Sequence, residues 1–303
     1  MSRKNYGDAL MPEKITLETL RHYKQSRRPI TMLTCYDYAA AVLLQNAGAD
    51  CLLVGDSLAQ LVLGHENTLS VTMDTMVTLT AAVRKGAPDV CLVGDMPYTG
   101  YHPDQEPIYR NCRRFLDEAG CDLIKIEVNR SHLDMVAQLA AQGIPVMAHL
   151  GYTPQTEFQL AKKIRTRLSD QALQLLQTAK DFESAGAAAL LLECVTDIVA
   201  QRVTAQSTLP VISCGSGPYC DGQVMVLHEI LALPGSVAPR FAKAYGQAAE
   251  HISTAVKEYL YEVRHRLFPT DQHCYHMPPE EKEKLDAASP RLRPDIFAIY
   301  QSK

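Results

Sequence analysis

Five times in this chain a short apolar run follows a helix-ending segment and stops on a residue that can hold a metal or a proton. Gly48 leads through Cys51–Gly55 to Asp56, Pro88 through Val90–Gly94 to Asp95, and Gly120 through Leu123–Ile126 to Glu127. Gly143 leads through Pro145–Ala148 to His149, and Gly186 through Ala189–Leu192 to Glu193. Parallel strands bring their carboxyl ends to one face of a sheet. Two Asp, two Glu and a His placed there build one polar site, suited to a metal.

The same rhythm runs through most of the chain. Leu17, Leu20 and Tyr23 recur at helical spacing and predict a helix over 16–27. Strands are expected at 30–36, 51–56, 90–95, 123–127, 145–150, 188–193, 210–214 and 237–241. Helices are expected at 38–47, 72–85, 105–119, 130–142, 169–185, 196–206 and 222–231, then a long one at 243–266. Continuous apolar strands, each followed by a helix, indicate a parallel sheet covered on its outer face. Eight of them indicate a (β/α)8 TIM barrel rather than an open doubly wound sheet. The Ala-Gly pairs at 47–48, 119–120 and 185–186 read as helix C-terminal caps. The predicted division is a leader at 1–14, a barrel at 15–275 and a charged, proline-containing extension at 276–303. The extension reads as spread over the surface or partly disordered. Within it, Ile296–Tyr300 reads either as a dock on a neighbouring subunit or as a frayed tail.

Bulk properties exclude several classes. A hydrophobic content of 47% and a charged content of 21% suit a soluble globular protein. A net charge of −4 gives no basic surface for nucleic acid. No apolar run approaches the ~18 residues of a membrane span, and the amino terminus lacks a signal-peptide core. Several of the nine cysteines sit in apolar runs and none forms a CxxC pair. That usage argues against structural zinc and for a reduced, cytoplasmic protein.

Each candidate residue has a functional and a bland reading. Asp56 and Asp95 both end a Leu-Val-Gly-Asp-like segment, where a carboxylate can coordinate Mg²⁺ or simply cap a helix, as Ser57 also can. Lys125 and Glu127 lie two apart on one strand and point the same way. Glu127 can join a metal shell, and Lys125 can hold a substrate carboxylate or a developing enolate; the alternative is a structural ion pair. His149 is a substrate hydrogen-bonding candidate or a satisfied core histidine. Glu193 follows a strongly apolar run, where burial raises a carboxyl pKa and suits a general base; the alternative is a salt bridge. The Gly215–Gly222 turn stands where many barrels bind phosphate, and His65 lies on a long loop after the second strand.

Several of these residues fall in a longer ordered set of motifs. Leu-Val-Gly-Asp-Ser-Leu (53–58), Gly-His-Glu-Asn-Thr-Leu (64–69), Ala-Ala-Val-Arg-Lys-Gly-Ala-Pro (81–88) and Lys-Ile-Glu (125–127) come first. His-Leu-Gly-Tyr-Thr-Pro-Gln (149–155), Leu-Leu-Glu-Cys-Val (191–195), Asp-Gly-Gln (221–223) and Phe-Ala-Lys (241–243) follow. Over roughly 14–275 the chain resembles the ketopantoate hydroxymethyltransferases. The resemblance implies a Mg²⁺-dependent (β/α)8 barrel of the phosphoenolpyruvate mutase/isocitrate lyase type. It implies transfer of a one-carbon unit from 5,10-methylenetetrahydrofolate to 2-oxoisovalerate on the way to pantothenate, by a homo-oligomer, commonly a decamer. Asp56 and Asp95 would then hold one Mg²⁺, with Glu127 nearby through water. Ser57, Asp95, Lys125 and His149 would bind the 2-oxo acid, and Glu193 would be the base.

The chain also departs from the family pattern. Val128-Asn129 replaces two glycines, Ser213-Cys214-Gly215-Ser216-Gly217 replaces Gly-Ile-Gly-Ala-Gly, and Leu79 replaces a His. Phe158–Arg167 replaces a Gly/Lys-rich loop. The metal and base positions are kept while pocket-shaping loops change. Two alternatives therefore stand beside the hydroxymethyltransferase: a paralogue doing the same enolate chemistry on another 2-oxo acid or donor, and a non-catalytic barrel scaffold. Like charges clustered without a metal repel, which disfavours the scaffold.

Overall fold

Eight parallel strands close into a barrel in chain order, as the strand count predicts. They are β1 (Ile30–Thr34), β2 (Cys51–Val54), β3 (Cys91–Asp95), β4 (Leu123–Glu127), β5 (Val146–Gly151), β6 (Ala189–Glu193), β7 (Val211–Cys214) and β8 (Gly222–Met225). The computed structural model describes residues 14–101, 108–157, 164–235 and 238–289. Helix α1 (Leu17–Ser26) precedes the barrel, and α2 (Tyr38–Asn46) links β1 to β2. A single turn, α3 (Leu58–Leu61), and then α4 (Met73–Gly86) follow β2; α5 (Ile108–Asp117) follows β3 and α6 (Leu133–Ala141) follows β4. After β5 come the one-turn α7 (Pro154–Glu157) and α8 (Ser169–Ser184), and α9 (Asp197–Gln206) follows β6.

Local chemistry starts and stops these helices where expected. Thr16, Asp37 and Thr72 accept the free N–H groups at the starts of α1, α2 and α4. Gly48, Gly120 and Gly186 end helices with φ of +88°, +70° and +92°, the conformation for which Gly is favoured.

Alternation along the strands decides what fills the barrel. Ile30, Met32, Cys51, Leu53, Cys91, Val93, Leu123, Met147, Ala189, Leu191 and Ile212 pack together as an inner cluster, joined by Leu20 and Tyr23 of α1. The neighbouring strand positions, such as Leu52, Leu92, Ile124, Val146 and Leu190, pack outward with Phe115 of α5 and Phe182 of α8. Burial of each such side chain contributes about 1.5–3 kcal/mol. The inward face then changes character along β3 to β6. Val93 is followed at the next inward position by Asp95, Leu123 by Lys125 and Glu127, Met147 by His149, and Leu191 by Glu193. One geometric rule thus yields an apolar floor and a polar mouth.

The eighth strand corrects the sequence reading. It forms over Gly222–Met225, inside the segment expected to be a helix at 222–231; of the strand expected at 237–241, the described residues 238–241 carry none. Only one helical turn, α10 (Leu227–Ile230), remains of that helix. The parallel partners β7 and β8 are joined by a short turn with no intervening helix, whereas such pairs ordinarily take a long crossover. Asp221 holds the joint: its carboxylate accepts the Val211 N–H at 2.9 Å and pairs with Lys24 Nζ at 2.7 Å. Gly222 is required by closure. A Cβ there would stand 2.5 Å from the Ile30 carbonyl oxygen on β1.

The described residues up to Gly246 form one compact unit and those from Gln247 onward another. The second contains α11 (Ala248–Arg264), shorter than the expected 243–266, and α12 (Pro279–Ala288). Helix α12 lies in the extension expected to be irregular; Pro279 at its first turn, with Glu280 and Glu281, is a helix-start signal. Ile296–Tyr300 lies outside the described residues. No described helix is long and apolar enough to cross a membrane.

Candidate active site

A cavity of about 1020 Å³ opens at the mouth of the barrel, with Asp56, Ser57, Asp95, Lys125 and Glu193 on its lining. Glu127 and His149 are buried behind that lining, 2% and 1% exposed. The structure therefore gathers all seven residues singled out from the sequence.

Strand register makes neighbours of them. Asp95 on β3 is level with Lys125 on β4, and Glu127 on β4 with His149 on β5. Lys125 Nζ donates to both Asp95 oxygens at 2.7 Å. Burial alone would discharge this ammonium, but Asp95, Asp56 and Glu127 outweigh it and keep it protonated. Burial pushes the Asp95 carboxyl up to about 7 against the pull of Lys125, with Asp56 adding to the rise. Burial, with Asp56 and Asp95 adding, also drives Glu127 well above the usual carboxylate range.

One side chain that sequence reasoning passed over ties this wall together. Gln155 is 1% exposed on α7. Its Nε2 donates to Asp56 Oδ2 at 2.9 Å and to the Met96 carbonyl at 3.1 Å, and its backbone N–H donates to Glu127 Oε2 at 3.0 Å. Its Oε1 accepts the Tyr101 hydroxyl at 2.9 Å. Gln155 sits in the His-Leu-Gly-Tyr-Thr-Pro-Gln motif, but it lies on a turn beyond β5, where the strand-end rule gives no signal. Tyr36 was missed too. Its hydroxyl meets Ser57 Oγ at 2.9 Å, and burial raises its pKa to about 12.

His149 stands between two carboxylates. Its Nδ1 is 3.7 Å from Glu127 Oε1 and its Nε2 is 3.4 Å from Glu193 Oε2, contacts that lack hydrogen-bond geometry. Burial, reinforced by Lys125, lowers its pKa, so the ring is neutral near pH 7. Glu193 itself is 20% exposed and faces the cavity. The burial suggested by Ala189–Leu192 therefore ends before its carboxylate. His65 contacts Ser70 Oγ at 2.7 Å on an exposed loop and holds that loop; its neighbours Glu66, Asn67 and Thr68 reach the cavity.

Three carboxylates surround one ammonium on this wall, and Glu127 Oε1 is buried with no hydrogen-bond partner. Such an excess of buried negative charge fits a divalent cation held by Asp56 and Asp95 with Glu127 behind them. Among the described residues, no group of three or more His, Cys, Asp or Glu side chains is arranged to hold a metal ion by itself. Mg²⁺ does not need one, because it characteristically keeps water and substrate oxygens in several positions.

Fold and site together define a class: a (β/α)8 barrel with a polar, carboxylate-rich site at its mouth, a fold shared with the phosphoenolpyruvate mutase/isocitrate lyase superfamily. The barrel superposes on 2,3-dimethylmalate lyase, a member of that superfamily, with a TM-score of 0.52 and 16% identity over 90% of this chain and 98% of the other. It likewise superposes on phosphonopyruvate hydrolase in complex with oxalate and Mg²⁺, with a TM-score of 0.56 and 14% identity over 91% and 98%. The pattern of the ketopantoate hydroxymethyltransferase family matches residues 14–271. The 3-methyl-2-oxobutanoate hydroxymethyltransferase of Geobacillus kaustophilus is 42% identical over 86% of this chain and 94% of its own. That of Pelobacter propionicus is 41% identical over 88% and 98%. The chain belongs to the ketopantoate hydroxymethyltransferase family and is an enzyme of that type.

Proposed function

We propose that this enzyme transfers a hydroxymethyl group from 5,10-methylenetetrahydrofolate to 2-oxoisovalerate, giving ketopantoate for pantothenate synthesis. One observation carries the reading. A charge-holding wall, Asp56, Asp95 and Lys125 tied by Gln155, shares one cavity with a carboxylate, Glu193, that has His149 close behind it. Mg²⁺ held by Asp56 and Asp95 would supply Lewis-acid polarisation of the substrate ketone.

The remaining steps fall to the chain's own groups. Ser57 and Lys125 bind the oxo acid at the cavity wall. Glu193 takes the proton from the carbon next to the ketone. The Lys125 ammonium stabilises the enolate oxygen. Neutral His149 orients Glu193 and separates it from Glu127. The enolate carbon bonds to the methylene carbon of the folate as one of its two C–N bonds opens and that nitrogen takes the proton held by Glu193. Water then displaces the second nitrogen, leaving the hydroxyl on the product and its proton on the released tetrahydrofolate. None of the nine cysteines is joined in a disulfide, which supports a reducing, cytoplasmic setting. Assembly as a homo-oligomer, the decamer implied by the resemblance, belongs to the same proposal and is checked by light scattering.

Mixing the protein with 2-oxoisovalerate, methylenetetrahydrofolate and Mg²⁺ should produce ketopantoate detectable by mass. Turnover of other 2-oxo acids but not this one would move the substrate to a relative of 2-oxoisovalerate. Absence of turnover with any 2-oxo acid would contradict the reading.

A further inference from the structure

The cavity is larger than a five-carbon oxo acid needs, since pockets of roughly 300–1,000 Å³ hold drug-sized ligands. The surplus space has a polarity of its own. Glu229 of α10 lines the cavity, and its Oε2 is buried without any hydrogen-bond partner. Burial, with Glu193 adding, pushes this carboxyl above its ordinary pKa. Among the described carboxylates of the site, Asp56 and Asp95 are hydrogen-bonded to Gln155 and Lys125, Glu127 is bonded at one oxygen and faces His149 with the other, and Glu193 stands beside His149. Helix α10 is held in place, because the Leu227 N–H donates to Thr34 Oγ1 at 3.0 Å on β1. Leu61, Val226 and Phe241 add apolar lining, and Arg240 is exposed on the same cavity.

A buried acceptor left without a donor is costly, and it is a natural place for a ligand to supply one. The ligand that fits is elongated. It carries N–H donors at the inner end, a flat apolar middle and an anion at the outer end. We propose that Glu229 and Arg240 form the co-substrate subsite. The Glu229 carboxylate accepts the adjacent ring N–H and amino N–H of an aminopyrimidinone ring, and Arg240 pairs with a carboxylate tail. This rests on the folate reading above, because a reduced folate carries these groups in this order.

Calorimetric titration of the full chain, under reductant, with tetrahydrofolate and with 6-methyltetrahydropterin separates the two contacts; the second ligand keeps the ring and lacks the tail. Glu229→Gln is expected to weaken both ligands roughly 10- to 100-fold, the scale of a lost charge-assisted hydrogen bond. It should also raise KM for the folate far more than KM for the oxo acid. Arg240→Ala is expected to weaken tetrahydrofolate roughly two- to five-fold and leave the pterin unchanged, the scale of an exposed ion pair. Because Arg240 is exposed, its variant keeps the test open if Glu229→Gln misfolds. Unchanged tetrahydrofolate affinity in Glu229→Gln, or equal loss for both ligands in Arg240→Ala, overturns the subsite. If the wild type transfers the one-carbon unit while the variants bind normally, only the subsite falls. If the wild type binds neither ligand and transfers nothing, the folate reading falls with it.

Discussion

The two sides of the cavity are built differently. On the side of β2 to β5, Asp56, Asp95 and Lys125 are held by hydrogen bonds, while Glu127 Oε1 and the His149 ring behind them are not. Lys125 is clamped on Asp95, and Gln155 reaches Asp56, Glu127 and the Met96 carbonyl at once. On the side of β6 to α10, Glu193 stands beside His149 without hydrogen-bond geometry, and Glu229 Oε2 has no donor. Where charge must be held at fixed positions, the chain spends buried hydrogen bonds on orientation. Where a proton must move or a second ligand must enter, it leaves acceptors open.

Breaking that contrast on the open side gives the largest effect. Glu193→Gln removes the base and should lower kcat by about 10²–10⁴-fold, with the melting temperature near that of the wild type. Lys125→Met on the fixed side removes the cation beside the enolate oxygen. It should lower kcat by about 10²–10³-fold and, because Asp95 loses its partner, also lower the melting temperature. Equal melting temperatures for the two variants would show that the two sides are equally constrained.

Gln155→Leu sharpens the comparison without touching a reacting group. It removes the donor to Asp56 Oδ2. The Mg²⁺ or Mn²⁺ dissociation constant, measured by calorimetry or by Mn²⁺ paramagnetic resonance, should rise about 10–100-fold. Stability should fall by about 1–3 kcal/mol for each buried group left unpaired. Wild-type metal affinity in this variant would mean that the carboxylates are positioned without it. The smallest effect is expected at Gly222→Ala, outside the site: about 1–3 kcal/mol of stability from the clash with β1, read by urea denaturation.

Legibility in the sequence followed the same divide. Strands β2 to β6 are unbroken aliphatic runs ending on chemistry-bearing residues, so the inward face of Asp95, Lys125, Glu127, His149 and Glu193 could be read by counting in twos. Asp56 lies two residues past the end of β2, where counting in twos from Leu53 gives Gly55; it was legible as the residue that ends the apolar run. The β7–β8 region was misread because Gly222 and the exposed Gln223 interrupt the apolar pattern, and because the turn from β7 contains no helix. A glycine demanded by the closeness of β1 looks, in sequence, like a turn. Gln155 stayed hidden for another reason. Its partners Asp56 and Glu127 are distant in the chain, and a polar residue on a turn looks like solvent-exposed filler until the barrel closes around it.

The account turns on a base, Glu193, working opposite a fixed charge-holding wall. The most direct test is proton NMR of 2-oxoisovalerate in D₂O with Mg²⁺ and no folate. The wild type should exchange the C3 proton, and the exchange should vanish with EDTA and fall by at least about 10²-fold in Glu193→Gln. Exchange that persists at the wild-type rate in Glu193→Gln would contradict the assignment of the base and, with it, the division of labour between the two sides.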